Sequence, residues 1–202
     1  AAMSGRKTVV ATYTKALQDQ MVEADLPMVG RHIRSSTGRD FSFAVVKGWS
    51  NYLCLERVDE VRTSMRQGQL DGMVEQASGE EVDRVMAWAE TTPTGDRGDL
   101  DFDPAPSTWG ALSVSSDECL GTSDCPFAGS CFPLMARRQA AEADVTVANH
   151  ALYAIDLAIG GFVLGDHDLV VLDEAHQLEE SFTEAFGFRL TGGRLRWLAN
   201  LA

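Results

Sequence analysis

The chain has 202 residues, 45% hydrophobic and 23% charged, which is the composition of a folded globular protein and excludes a chain that is disordered throughout. Its 17 basic and 30 acidic side chains give a formal charge of −13, which argues against a basic nucleic-acid-binding arm. Its apolar runs are far shorter than the roughly 20 residues of a membrane span, and its N-terminus lacks the apolar stretch of a secretory signal. We therefore expect a soluble, cytoplasmic protein with no membrane partner.

The first part of the chain begins with a strand and a helix. Thr8–Thr12 is a short β-branched run typical of a strand, and Thr14 is the expected N-cap of a following helix with apolar residues at helical spacing. Residues 26–40 are rich in Gly, Ser and Arg, and we expect a loop there. A second apolar run covers residues 41–46.

The middle of the chain is acidic. Residues 79–118 contain 2 basic and 10 acidic side chains. Residues 79–92 place apolar side chains on one face and predict a helix, whereas residues 93–108 combine Pro, Gly and Asp without periodicity and predict a long exposed loop. The charge pattern fits a small insert with its own surface character, or a solvated helix face followed by a loop.

The rest of the chain alternates helices with apolar strands. Helical patterns cover residues 132–143 and 151–159, and strand patterns cover Val145–Ala148 and Leu169–Leu172. Leu169–Leu172 is the most apolar strand, and we expect it to be buried. The alternation indicates an α/β fold with a parallel sheet, into which residues from about 48 to 135 are inserted.

Two carboxylates follow the most apolar strand, in the sequence Asp173-Glu174-Ala175-His176. Ligands of open α/β sheets bind at the carboxyl ends of the strands, where nucleotide hydrolysis needs one carboxylate for Mg²⁺ and a second for the attacking water. Asp173 takes the metal role and Glu174 the water role, and His176 couples the site to other parts of the protein. The alternative is an acidic helix N-terminus favoured by the macrodipole. The complete tetrad favours the nucleotide site, although the phosphate-loop pattern G-x-x-x-x-G-K-[ST] does not occur in the chain.

The four cysteines suggest a metal site. Cys54, Cys119, Cys125 and Cys131 are separated by 64, 5 and 5 residues. Structural zinc sites use gaps of two to four residues within a pair, whereas an iron–sulfur cluster is wider and tolerates longer gaps. Spacing alone favours iron–sulfur over zinc and leaves unligated core cysteines as a third possibility. Gly121 and Gly129 would allow backbone N–H groups to approach the sulfurs.

Taken in order, these segments resemble the iron–sulfur DNA helicases of superfamily 2, in particular the DinG type related to XPD. Asp-Glu-Ala-His alone occurs in many helicases, but the ordered set, with cysteines between motif Ia and motif II, is specific. The matching pieces are residues 9–20, resembling motif Ia; Lys47–Cys54, resembling the approach to the first cluster ligand; the Cys119, Cys125 and Cys131 group; Ala143–Leu152; and Asp173–His176.

The resemblance implies a partial RecA-like parallel sheet with an inserted, mainly helical iron–sulfur domain. Residues 1–47 would belong to the first motor domain, 48–135 to the insert, and 136–202 to the returning motor domain and the start of a following segment. The four cysteines would hold one [4Fe–4S] cluster, and ATP with Mg²⁺ would drive 5′→3′ unwinding of DNA in repair or replication. The phosphate loop and a second motor domain are missing from the sequence, so the chain is expected to be a fragment that is inactive by itself.

The resemblance also implies DNA contacts, to single-stranded or forked DNA and by a monomeric protein. Thr12 and Thr14 would lie near the strand, and Trp49 stands where the family usually has Arg, so it would stack on a base or pack beneath the cluster. The basic residues that would have to form a track, if they are not merely scattered surface charges, are Lys15, Arg31, Arg34, Arg39, Lys47, Arg137 and Arg138. Competing hypotheses are a redox or metal-binding module without motor activity and a zinc-stabilised interaction domain.

Overall fold

The computed structural model describes residues 4–67 and 79–187. The chain divides into two compact units, one formed by residues 1–41 with 147–202 and the other by Ser42–Thr146. The predicted insert, residues 48–135, falls within the second unit. The predicted segment after motif II lies partly outside the described residues, because they end at 187.

Four strands form one parallel sheet in the described part of the chain, which confirms the α/β class. They are β1 (Thr8–Thr12), β2 (Phe43–Val45), β3 (Val145–Asn149) and β4 (Leu169–Leu172), in the spatial order β2-β3-β1-β4. β1 pairs with β4 in the register Thr8 to Leu169 through Ala11 to Leu172. The carboxyl ends of β1, β3 and β4 therefore lie side by side.

The helices confirm most of the predicted elements, and Thr14 caps α1 by accepting a hydrogen bond from the Leu17 N–H. None of those in the described ranges is long and apolar enough to cross a bilayer. The helices are α1 (Lys15–Gln20), α2 (Leu26–Thr37), α3 (Leu55–Gln67), α4 (Gly79–Ala89), α5 (Pro106–Leu112), α6 (Gly121–Asp124), α7 (Phe132–Glu142), α8 (His150–Ala158) and α9 (Leu178–Phe186).

The loop predicted over residues 26–40 is wrong, because most of this segment forms α2. A π-helical turn, Met21–Asp25, joins α2 to α1. Pro27 lies in the first turn of α2, where its missing N–H costs nothing, and the left-handed Gly38 ends the helix. Burial of Ile33 gives the helix an inner face despite its polar composition.

β4 is not buried as predicted. Val171 is 45% exposed, and Leu169 and Leu172 are also classed as exposed. The reason is topological, because β4 stands at the end of the strand order and pairs with β1 alone among the described strands. The most apolar strand of the sequence is therefore an edge strand of the described sheet.

The second unit has its own apolar core. The loop predicted over residues 93–108 is shorter than expected, because α5 begins at Pro106 and Thr108 is fully buried, its hydroxyl donating to Glu81 Oε2 at 2.8 Å. Gly95 has φ +62°, and a Cβ there would stand 2.3 Å from the Phe132 ring. The buried core residues are Tyr52, Leu53, Val58, Val61, Val82, Val85, Trp109, Ala111, Leu112 and Phe132.

Candidate nucleotide site and cysteine cavity

Asp173 lies at the carboxyl end of β4 and is fixed to the neighbouring strand β1. Its backbone N–H donates to the Ala11 carbonyl at 2.9 Å, which extends the β1–β4 pairing by one residue. The Thr12 hydroxyl donates to Asp173 Oδ2 at 3.2 Å. Thr12 is fully buried, and its hydroxyl is bonded to the Asp173 carboxylate. Its predicted DNA contact stays a prediction.

His150 adds a contact that sequence reasoning missed. It is the first residue of α8, directly after β3, and its side chain is fully buried. Its Nε2 lies 2.8 Å from the carbonyl oxygen of Asp173. Because a carbonyl oxygen can only accept, Nε2 carries the proton. The sequence did show a polar residue directly after a buried strand, but nothing in it indicated a contact with Asp173.

Glu174 has a left-handed backbone, with φ +50° and ψ +43°, and is the one described non-glycine residue with positive φ. This conformation costs roughly 1–2 kcal/mol for a residue with a Cβ. Its carboxylate is partly exposed, and Oε2 lies 3.3 Å from His176 Nδ1, so the two pair when the imidazole is protonated. An exposed carboxylate on a left-handed residue thus directly follows Asp173 in the chain.

The macrodipole alternative does not account for the Asp173–Glu174 pair. A 3₁₀ turn, Ala175–Gln177, follows the pair, and α9 begins only at Leu178. The acidic residues in the first turn of α9 are Glu179 and Glu180. The strand-end position instead leaves one tethered and one exposed carboxylate at the edge of a parallel sheet, where nucleotide-binding folds place their ligands.

The four cysteines lie in the second unit around one cavity, which all four line together with Trp49. None of the four forms a disulfide, and each is partly buried. Cys54 immediately precedes α3, Cys119 precedes α6, Cys125 ends α6 and Cys131 is the N-cap of α7. The four cysteines, which are separated by 64, 5 and 5 residues, thus lie at the ends of helices that meet at one cavity.

Backbone N–H groups point at several of these sulfurs. The N–H of Gly121, which has φ +81°, lies 3.4 Å from Cys119 Sγ, as predicted from the glycine in that gap. Burial raises the pKa of the Cys54 thiol, while the N–H groups of Arg57 and Glu56 lower it. Burial likewise raises the pKa of Cys131, against one backbone hydrogen bond from Leu134. Such donors stabilise a thiolate once a metal compensates for desolvation.

The described side chains do not form a ready-made metal site. Among residues 4–67 and 79–187, no three Cys, His, Asp or Glu side chains are close enough together to hold one metal ion. A tetrahedral zinc site with Zn–S bonds of ~2.3 Å needs sulfurs about 3.8 Å apart. In a cubane cluster each thiolate binds a different iron, so the sulfurs stand further apart. Four thiols that line one cavity are nevertheless a donor set suited to a thiolate-bound metal centre, and their arrangement here does not choose between zinc and a cluster.

The segment leading to Cys54 is anchored by a buried ion pair that the sequence did not reveal. Lys47 Nζ lies 2.7 Å from Asp96 Oδ2, and the two side chains are 7% and 14% exposed. The Lys47 N–H donates to the Tyr52 hydroxyl, and burial raises the pKa of Tyr52 to about 12. The Cys54 N–H donates to the Leu112 carbonyl. Lys47 was expected in a basic track, but it is buried against a carboxylate.

The other predicted DNA-contact residues lie in two places. Thr14 and Lys15 are exposed at the start of α1 in the first unit. In the second unit the Arg137 guanidinium stands 4.9 Å from the centre of the Trp49 ring, a cation–π contact beside the cysteine cavity. Arg138 is exposed on α7. Trp49 thus packs at the cavity with Arg137 on its ring.

Comparison with known proteins gives a consistent set of relatives, although no family model matches. The chain is 41% identical over 194 residues to the ATP-dependent helicase DinG of Mycobacterium tuberculosis, covering 93% of the chain and 29% of the relative. It is 36% identical over 196 residues to the ATP-dependent DNA helicase YoaA of Haemophilus influenzae and 35% identical over 199 residues to that of Escherichia coli. These matches cover 95% and 96% of the chain, and 29% and 30% of the two relatives. The chain thus spans under a third of their length.

Proposed function

We propose, starting from the membership of this chain in the DinG and YoaA family of ATP-dependent helicases, that it supplies motif II and the iron–sulfur segment of an ATP-driven DNA motor. The observation that carries the proposal is the Asp173–Glu174 pair at the carboxyl edge of a parallel sheet. One carboxylate is tethered by a buried hydroxyl and the other is exposed.

The two carboxylates divide the work of nucleotide hydrolysis. Asp173 would hold Mg²⁺, and the Thr12 hydroxyl keeps the Asp173 carboxylate in place through Oδ2. Glu174 orients the attacking water and accepts its proton, because its carboxylate reaches solvent. His176, next to Glu174, connects the site to the rest of the motor. ATP with Mg²⁺ supplies the phosphoryl group that is transferred to water.

The chain by itself is expected not to hydrolyse ATP. Mg²⁺ sites rely on one or two carboxylates plus substrate oxygens, and the pattern that holds those phosphate oxygens does not occur in this sequence. Positioning and charge neutralisation must act together in phosphoryl transfer. The phosphate loop must therefore come from another part of a complete motor.

Cys54, Cys119, Cys125 and Cys131 hold one [4Fe–4S] cluster in this proposal. Support comes from their shared cavity and from the backbone N–H groups directed at the sulfurs. The cluster would supply folding free energy to the second unit by joining four element boundaries. A redox or metal-binding module would use the same cysteines without motor activity.

DNA, single-stranded or forked, is the proposed substrate, with 5′→3′ unwinding by a monomer in the cytoplasm during repair or replication. Thr14, Lys15 and Arg138 are exposed and remain the candidate phosphate contacts. Trp49, whose ring lies 4.9 Å from the Arg137 guanidinium beside the cysteine cavity, is the candidate for stacking against a base.

The test is a complete motor carrying this segment. We expect DNA-stimulated ATPase that Glu174→Gln lowers by about 10²-fold or more, while nucleotide affinity changes by less than about threefold. Glu179→Gln, at another exposed carboxylate in α9, should leave turnover intact. Unwinding should require a 5′ overhang on tailed duplexes. ATPase that is unaffected by Glu174→Gln, or never stimulated by DNA, would contradict the proposal and favour the module without motor activity.

A further inference from the structure

The imidazole of His150 reaches from the end of β3 to the backbone of motif II. In the sheet order β1 lies between β3 and β4, so the ring crosses the end of β1, where the Tyr13 ring lies with its centroid 6.2 Å away. Its Nε2 ends 2.8 Å from the carbonyl oxygen of Asp173. This carbonyl belongs to the peptide that joins Asp173 to Glu174.

That peptide precedes the strained residue of the site. Glu174 is left-handed, and the direction of the Asp173 carbonyl depends on the same peptide plane that sets φ of Glu174. A donor fixed on the carbonyl therefore resists rotation of the plane toward a relaxed conformation. On the other side of Asp173, its own N–H is fixed by the Ala11 carbonyl.

Packing alone explains His150 poorly. The side chain is fully buried, and Nδ1 is a buried atom with no hydrogen-bond partner among the residues described. Burying an imidazole with one unsatisfied nitrogen is costly, and an apolar ring of similar size would fill the same space without that penalty. Within residues 4–67 and 79–187, the one polar contact of the side chain is the contact with Asp173.

We propose that His150 is a positioning residue of the nucleotide site, whose Nε2–H holds the Asp173 carbonyl and so keeps Glu174 in its left-handed, water-facing conformation. The effect on catalysis rests on the proposed function, whereas the effect on the backbone does not. His150 acts through the peptide between the two carboxylates.

The first measurement uses this chain and requires no nucleotide. In the wild type, nitrogen NMR should show His150 protonated at Nε2, and the backbone coupling constant and carbon shifts of Glu174 should report positive φ. His150→Phe should shift the Glu174 signals toward ordinary negative φ, whereas His150→Gln, whose amide can place a donor near the position of Nε2, should preserve them. His32→Phe, at an exposed site on α2, is the matched control.

The second measurement uses a complete motor carrying the segment. His150→Phe should lower kcat by about 10- to 100-fold, the range expected from misplacing a catalytic group, with KM for ATP changed less than about twofold. His150→Gln should restore kcat to within about threefold of wild type. A purely structural role would instead lower the melting temperature of both variants and leave kcat per folded molecule unchanged.

The outcomes separate this inference from the function on which it rests. An Nδ1–H tautomer in the wild type, unchanged Glu174 signals in His150→Phe, or equal impairment by Phe and Gln would overturn the role of His150. If His150→Phe does not fold, the wild-type tautomer and the comparison of His150→Gln with His150→Asn, whose shorter amide cannot reach, decide the question. Altered Glu174 signals together with a complete motor that lacks ATPase would instead overturn the proposed function.

Discussion

Asp173 is held by two hydrogen bonds from side chains at neighbouring strand ends. Thr12 is the last residue of β1, and His150 directly follows β3. Sequence reasoning could find Asp173 and Glu174, because an apolar strand followed by paired carboxylates is a local pattern. It could not find the role of His150, because that contact joins residues 23 positions apart through a side chain and a carbonyl. It likewise did not reveal the Thr12 contact with Asp173, and the expected position of Thr12 near DNA stays a prediction.

Thr12→Val should weaken metal use at the site. The valine keeps the shape of the buried side chain but removes the donor to Asp173 Oδ2, worth roughly 0.5–1.5 kcal/mol net. In a complete motor we expect the Mg²⁺ concentration for half-maximal ATPase to rise about 3- to 10-fold. Thr12→Ser retains the hydroxyl and serves as the control. A Thr12→Val motor with wild-type Mg²⁺ dependence would show that the carboxylate needs no tether.

Arg138 should contribute a phosphate contact to single-stranded DNA binding. The isolated chain, with a charge of −13, is expected to bind weakly and to lose affinity as salt rises. Arg138→Ala should reduce the slope of log affinity against log salt by about 0.7, the value per phosphate contact on a single strand. The control is Arg62→Ala on α3, since Arg62 is paired with Glu90. Binding that is indifferent to salt would rule out phosphate contacts as its source.

At the scale of elements, the sequence predicted most helices and strands because their periodicity is local. The prediction of a loop over residues 26–40 was wrong, because the Gly and Ser content there is typical of loops although the segment contains α2. Burial of Ile33 stabilises this helix, and the left-handed Gly38 ends it. The predicted burial of β4 was wrong because position in a sheet depends on pairing with distant strands. The Lys47–Asp96 ion pair could not be predicted either, because its partners lie on distant segments of the chain.

Lys47→Met should destabilise the second unit strongly. The methionine fills the space but leaves Asp96 buried without its cation, a change that costs about 3–5 kcal/mol. Arg34→Met provides the contrast, because Arg34 pairs with Asp40 at the surface, where both side chains are largely exposed and such a pair contributes about 1 kcal/mol or less. Denaturant unfolding should show the difference, and equal losses for the two variants would refute the anchoring role.

The two units of the chain contain different sets of candidate functional residues. The first unit holds the carboxylate pair at its sheet edge, and the second holds the four thiols in one cavity. The sequence predicted both sets of residues from motif order. Only the fold could show that the four cysteines meet at one cavity, because 64 residues separate Cys54 from Cys119, the nearest of the other three in the sequence.

The proposed [4Fe–4S] cluster can be tested on this chain alone, by iron and sulfide analysis of protein purified without oxygen. We expect a brown sample with about four irons and four sulfides per chain. Cys125→Ser should lose iron and become protease-sensitive over residues 100–135, whereas Ser123→Ala, at an exposed site between the ligands, should change neither property. A colourless protein with one zinc per chain, or iron content unchanged by Cys125→Ser, would contradict the account.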